Sequence, residues 1–297
     1  MGLYLQTNSD GGKSPGYLNS GRKEGIGAIA QYQILLYAIC KKLGVNFYNS
    51  GFKNIGHSSY TDYDEDDWSD SFTQFFNFSS DFDIEEKIHF SKIDEDLFSF
   101  IQENKNTSSK ILIYIDPESV LDYGQLIINE IYEKKYLIDL KNRLNFNDTY
   151  FSNNVLNISF HIRNINLEDN CFQNFRELYN KNNFNYINII EQLKKVCDEE
   201  VKLHIHSQGE QKDFEELLNY QQKKFEIELH INDHPISDIY HMSHADLLIM
   251  ANSSFSWISH LMNYNITLVR DNFWHSTYPN TIKLDKDYSI TKRLQVK

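Results

Sequence analysis

The stretch DLLIMANSSFSWISHLMNYNITLVRD, residues 246–271, reads as strand, helix, strand. An apolar run, DLLIMAN, stops at small polar residues. SFSWISHLMN then carries apolar residues at helical spacing, and ITLVRD is a second short β-branched run. A strand that returns through a helix to another strand is the unit from which parallel sheets are built. The same stretch poses a chemical question, because Ser253, Ser254 and Ser256 lie where the first strand ends and the helix begins. Helix capping accounts for one such hydroxyl and does not readily account for three. Small hydroxyl residues at a helix N-terminus offer side-chain donors, free N–H groups and a partial positive charge, which together form an anion site.

Upstream, the alternation continues. VLNISFHIR, FNYINIIEQLKKVCDEE, VKLHIHSQ, KDFEELLNYQQKK, FEIELHIND and SDIYHMSHA alternate as strand and helix, which predicts a Rossmann-like, doubly wound parallel sheet. The Asn-rich NFNDTYFSNN, 145–154, marks the best boundary, so the domains are expected at 1–150 and 151–297. In the first half, GLYLQTNSDGGKSPGYLNSGRKEGIG reads as a loop feeding the helix AIAQYQILLYAICKKLG, with VNFYNS as a short strand. GHSSYTDYDEDDWSD, 56–70, reads as an acidic loop, KILIYID as a buried strand, and 118–144 as one long helix or two. This half is expected to be a looser α/β domain, and no internal repeat is visible.

At 297 residues and 40% hydrophobic content the chain can bury a real core. A formal charge of -13, with no Lys/Arg cluster, argues against nucleic acid or anionic membrane as partner, although a buried arginine can still bind a phosphate. Cys40, Cys171 and Cys197 are odd in number and far apart, which suits a reducing compartment better than a disulfide framework. With neither a signal-peptide pattern nor a run long enough to span a bilayer, a soluble, cytoplasmic protein is expected. Asn77, Asn106, Asn147 and Asn252 head Asn-x-Ser/Thr triplets, but chance matches are common in an Asn-rich chain.

In a doubly wound sheet ligands bind beyond the carboxyl ends of the strands. VLNISFHIR ends in His161 and Arg163, which alternation points to one side. Arg163 could clamp a phosphate with its planar fork of donors, or be a surface arginine beside a core histidine. VKLHIHSQGE ends in a Ser207-Gln208-Gly209 turn that could offer donors to a ribose or phosphate, or simply lead into a capped helix. Gly25 and Gly27, before the first long helix, could cradle a phosphate, though a two-glycine loop is a weak signal. His204, His206, His234, His241 and His244 allow a zinc site to be drawn, but no carboxylate or cysteine completes a ligand spacing, so no metal is expected. Asp62, Asp64, Asp66, Asp81 and Asp83 read as a solvated acidic loop rather than a metal site for a nucleotide. No GxSxG or Walker A sequence appears, so hydrolase and NTPase chemistry lose their usual support.

Taken together, the three strand ends resemble the donor-site motifs of GT-B fucosyltransferases, the group that contains the α1,2-, α1,6- and protein O-fucosyltransferases. ISFHIRNIN is similar to the family's His-x-Arg motif, LHIHSQGEQKDFEEL to its second strand-and-turn motif, and SDIYHMSHADLLIMANSSFSW to its third. GIGAIAQYQILLYAICKKLGV resembles its glycine loop and first helix. Where the family continues with Arg and Asp, this chain has Asn164 and Asn166. The resemblance implies a GT-B-like α/β fold of two Rossmann-like domains facing a central cleft, with GDP-fucose as donor, a glycan hydroxyl as acceptor and an inverting transfer that requires no metal. It implies that Arg163 binds the β-phosphate and His161 supports the pocket. Ser207 would face the nucleotide, Asp238 the guanine or ribose, and Asn252, Ser253, Ser254 and Ser256 the diphosphate. Glu168 and Asp169 lie near the position of an acidic base, with His57 and Asp62 as alternatives. The rival readings are a GT-B enzyme using another nucleotide sugar, a non-catalytic module that binds a sugar nucleotide or glycan, and a metal-dependent transferase.

Overall fold

The computed structural model describes residues 2–7, 25–49, 51–52, 55, 65–78, 83–164, 186–197, 199–222, 224–285 and 290. The chain divides into two compact units, Met1–Asn145 and Phe146–Lys297. The division falls inside the Asn-rich stretch, just ahead of 150/151. Each unit carries one parallel sheet, so the chain is α/β.

The first unit contains β1 (Leu3–Thr7), α1 (Ile26–Leu43), β2 (Asn46–Phe47), α2 (Glu65–Phe75), β3 (Glu86–Phe90), α3 (Glu95–Glu103), β4 (Ile111–Ile115), α4 (Pro117–Leu126), α5 (Ile128–Glu133) and α6 (Ile138–Asn142). Its strands run parallel in the order β2-β1-β4-β3. This corrects three expectations. The opening residues are not all loop, because β1 pairs with the apolar β4 from Leu3↔Ile111 to Thr7↔Ile115, and Thr7 Oγ1 donates to the Ile115 carbonyl at 3.0 Å. A Cβ on Gly2 would stand 2.1 Å from the Ser109 carbonyl oxygen, so glycine is what lets β1 begin this close to its neighbour. The acidic stretch is helical from Glu65, at the start of α2, while 56–64 lie outside the described residues. Residues 117–143 form three short helices rather than one or two, with Lys135 in the left-handed region (φ 52) between α5 and α6.

The second unit contains β5 (Leu156–His161), α7 (Tyr186–Val196), β6 (Val201–Ser207), a 3-10 turn (Gln211–Phe214), α8 (Glu215–Leu218), β7 (Phe225–Ile231), α9 (Pro235–His244), β8 (Leu247–Ile249), α10 (Ser254–Met262), β9 (Ile266–Arg270) and β10 (Thr281–Leu284). The helix expected from Lys212 shrinks to the 3-10 turn and α8. The strands are all parallel, in the order β10-β9-β8-β5-β6-β7. From β5 the chain moves outward through β6 to β7, then returns to lay β8 on the other side of β5. The strand order therefore reverses between β5 and β8, and such a switch point opens a crevice at the carboxyl ends of the strands.

The two faces of this sheet differ in chemistry. On one, Leu156, Ile158, Phe160, Leu203, Ile205 and Ile227 join Ile189, Ile190 and Leu193 of α7 and Leu217 of α8 in a continuous apolar core. The alternate residues Asn157, Ser159, His161, His204, His206 and His230 face the other way and are also buried. Asp238 and His241 of α9 are buried with them, and α9 packs on α10.

Candidate functional site

Both strands that border the switch point end in residues singled out from the sequence. β5 delivers His161, followed by Ile162, Arg163 and Asn164. β8 delivers Asn252 and the serine turn that opens α10. The His161 ring lies 5.4 Å from that of Phe255 in the first turn of α10, so the end of β5 meets the head of the helix. Burial, and then the charge of Arg163 and the proximity of His206, hold the His161 pKa well below its ordinary value, which keeps the ring neutral.

The serines divide by role. Ser253 is the N-cap: its backbone is extended and its Oγ accepts the Phe255 N–H at 3.2 Å. Trp257 N–H reaches the Ser253 carbonyl at 3.1 Å. Ser256 is fully buried and donates to the carbonyls of Ala251 (3.2 Å) and Ser253 (3.3 Å), which tightens the turn from inside. Ser254 opens the helix and is half-buried. The N–H groups of Ser254 and Ser256 belong to the first turn, where no intrahelical acceptor exists for them. Among the described residues, His161 Nδ1 and Asn252 Oδ1 are buried polar atoms with no hydrogen-bond partner, and both flank this turn. Buried polar atoms are nearly always paired, so two orphans at a switch point indicate a place shaped for something polar.

Ser207, Asp238 and the glycines have other engagements. Ser207 Oγ donates to the Ile162 carbonyl at 2.9 Å, tying the ends of β5 and β6 together. The turn after it is internally satisfied. Asn232 exchanges two hydrogen bonds with Gly209, and Glu210 forms a capping box with Asp213. Gly209 has φ 131, and a Cβ there would stand 2.6 Å from Asn164 Nδ2, so glycine lets Asn164 settle over the turn. Asp238 Oδ1 lies 2.8 Å from His206 Nδ1, whose Nε2 lies 3.2 Å from Ser159 Oγ. Burial raises the Asp238 pKa well above its ordinary value and lowers that of His206 to about 3, so burial disfavours the charged form of each partner. Gly25 and Gly27 open α1 in the first unit. Gly25 is the N-cap, and its carbonyl accepts from Ala28 and Ile29 at 3.0 and 3.2 Å. Glu168, Asp169, Asn166, His57 and Asp62 lie outside the described residues.

Beneath the strand ends, Tyr150 is stacked between His230 (centroids 3.9 Å apart, 13° between planes) and His241 (3.4 Å, 12°). Sequence reasoning also passed over the segment after β9. Asn252 Nδ2 donates to Asn272 Oδ1 at 3.2 Å, and His275 stacks on Trp257 at 4.0 Å. Trp274 beside it is 51% exposed. The run NFWHSTY, 272–278, at the carboxyl end of a predicted strand was the available signal.

No protein-family profile and no curated protein matches this sequence. Among solved structures, the chain is similar to POFUT1 in complex with GDP (11% identity, 90% of this chain and 98% of that one, TM-score 0.39). It is similar to an Arabidopsis thaliana FUT1 mutant in complex with GDP (10% identity, 94% and 71%, TM-score 0.40). It is likewise similar to NodZ α-1,6-fucosyltransferase soaked with GDP-fucose (12% identity, 88% and 92%, TM-score 0.39). Likeness at this level assigns no activity to this chain.

Proposed function

We propose that the second unit seats the diphosphate of GDP-fucose at the switch point between β5 and β8, and that the chain transfers fucose from it to a glycan hydroxyl with inversion. The observation that carries this reading is the meeting of the β5 end with the head of α10, where His161 Nδ1 and Asn252 Oδ1 are both buried and find no partner among the described residues. The donor's identity rests on the motif resemblance of His161-Ile162-Arg163 and Asn252 to Trp257, a resemblance that also makes the reading GT-B-like.

As the bond from the anomeric carbon to the diphosphate breaks, negative charge builds on the departing phosphate. Arg163 supplies a delocalised cation and bidentate donors. The first-turn N–H groups of α10 supply fixed dipoles that need no reorganisation. Neutral His161 adds a donor or an acceptor without adding charge. Asp238 and Ser207 act one step back, by orienting His206 and joining the two strand ends. The acceptor's proton passes to a carboxylate, for which Glu168 and Asp169 remain the candidates. This electrostatic set does for the diphosphate what a metal does elsewhere, so the transfer step requires none.

The test is release of GDP, UDP or CMP from the matching nucleotide sugars by the full chain. GDP-fucose should be turned over, and Arg163→Ala should lower kcat by about 100- to 1000-fold, the usual cost of removing a group that stabilises developing charge. Preference for a UDP or CMP donor overturns the assignment. A second reading, a module that binds the nucleotide without turnover, draws on Asn164 and on the internal pairing of Ser207, Ser256 and Asp238. It predicts GDP binding with no release from either wild type or variant.

A further inference from the structure

His204 on β6 and His230 on β7 play no part in the donor-site reading, and their hydrogen bonds fix where each ring carries its proton. The amide of Asn157 has one orientation, since its Nδ2 donates to the carbonyls of Ser152 (2.9 Å) and Val155 (3.2 Å) and its Oδ1 accepts the Ser152 N–H (3.1 Å). His204 Nε2 lies 3.3 Å from that same oxygen and must be the N–H nitrogen of its ring. His230 Nδ1 lies 3.3 Å from Asp233 Oδ2, a carboxylate oxygen that accepts, so Nδ1 is the donor there. The two remaining nitrogens, His204 Nδ1 and His230 Nε2, face each other at 3.1 Å. In neutral rings both present lone pairs, which repel at that distance unless a cation lies against them.

A third donor completes the set. Glu228, on β7 directly opposite His204, places Oε2 3.8 Å from His204 Nδ1 and Oε1 3.9 Å from His230 Nε2. One ligand atom from each of the three residues lies within 4.8 Å of the others.

We propose that His204 Nδ1, His230 Nε2 and the Glu228 carboxylate bind a divalent transition-metal ion of the zinc type. Ligands about 2.1 Å from a tetrahedral ion stand roughly 3.4 Å apart, close to the separations found here. Two imidazoles and a carboxylate suit zinc, and three protein ligands leave one position open for water. The surroundings are those of a metal site as well, since Asn157 and Asp233 accept the outer ring N–H groups. Lys202 Nζ lies 2.5 Å from Glu228 Oε2 and holds the carboxylate beside the two rings. Glu228 and Asp233 together balance the ion's two charges. Glu228 is 36% exposed, which gives the ion a way in. His204 precedes the end of β6 by three residues, about 10 Å along the strand. The ion therefore lies apart from the diphosphate seat and fastens the edge strand β7 to β6. The inference stands whether or not the donor is GDP-fucose.

The full chain, stripped with EDTA and dialysed, is titrated with zinc chloride by calorimetry. One zinc should bind per chain. Asp233→Asn and Glu228→Gln should each weaken binding at least about tenfold, and His230→Gln should abolish it. Because a histidine variant can fail to fold, the wild type is also followed by nitrogen-15 imidazole spectra. Zinc should shift the signals of His204 Nδ1 and His230 Nε2. Absence of saturable binding, equal binding by His230→Gln, or shifts confined to others of the eleven histidines would overturn the proposal.

Discussion

The two faces of the six-stranded sheet are made from alternate residues of the same strands, and both are buried, yet they are held by different forces. Ile158 and Phe160 press into an apolar core under α7 and α8. Asn157, Ser159 and His161, one position along, enter a polar layer whose members must find partners. Parallel strands covered on both sides usually read as unbroken apolar runs. Here VLNISFH and VKLHIHS alternate instead, the pattern of a sheet with one wet face. A burial-only reading would have sent the histidines to solvent. Their burial teaches that in this unit alternation separates two kinds of interior, one held by area and one by pairing.

Acid should divide the two layers most sharply. His241, His260 and His275 belong to the side of α9 and α10, and burial is the first cause that lowers their pKa values, to about 3, about 3 and about 4. A histidine depressed in the folded state and ordinary in the unfolded chain adds stability that is full above about pH 6.5 and is lost as pH falls towards the folded value. Each should forfeit about 2 kcal/mol between pH 7 and pH 5, or about 6 kcal/mol for the three, which is on the order of a whole domain's stability. Asp238 works in the opposite direction, because its pKa is raised and its contribution grows as pH falls. The urea midpoint of the chain should drop steeply across that window, and equal midpoints at pH 7 and pH 5 would mean that the polar layer is not buried as described.

Substitution should separate the faces at single-residue resolution. Phe160→Ala opens a cavity in the apolar core and should cost about 3 to 5 kcal/mol. Ser159→Ala, one residue away, removes only the partner of His206 Nε2 and should cost about 1 to 2 kcal/mol. Urea unfolding of both variants at pH 7 checks the ratio. A larger loss for Ser159→Ala would show that the pairing network, rather than the core, carries the unit.

These contrasts explain what could be read before the structure. The strand–helix alternation of the second half was legible because apolar runs such as DLLIM and ITLV are short, β-branched and punctuated. β1 was hidden because LYLQT runs straight into a Gly- and Ser-rich segment, and β3 because EKIHF carries more charge than pattern. At the site, position along a strand was legible and engagement was not. His161, Arg163 and the serine turn do sit at the switch point. That Ser207, Ser256 and Asp238 would spend their polar atoms on carbonyls and on His206 depends on neighbours far along the chain. Glu228 was missed for the same reason, since its register opposite His204 arises from strand pairing and not from spacing.

The smallest effect bears on the serine turn itself, where capping and ligand binding compete as explanations. Ser253 Oγ is already occupied by the Phe255 N–H, so Ser253→Ala should cost about 1 kcal/mol of stability, as lost N-caps do. Ser254 sits half-buried at the first helical position, and Ser254→Ala should leave stability within about 0.5 kcal/mol. If the head of α10 holds a diphosphate, Ser254→Ala should nonetheless weaken GDP binding, measured by calorimetry, more than Ser253→Ala does. The reverse pattern, with Ser253 governing binding and Ser254 governing stability, would move the anion away from this turn, because the hydroxyl that already closes the helix would then be the one the ligand needs.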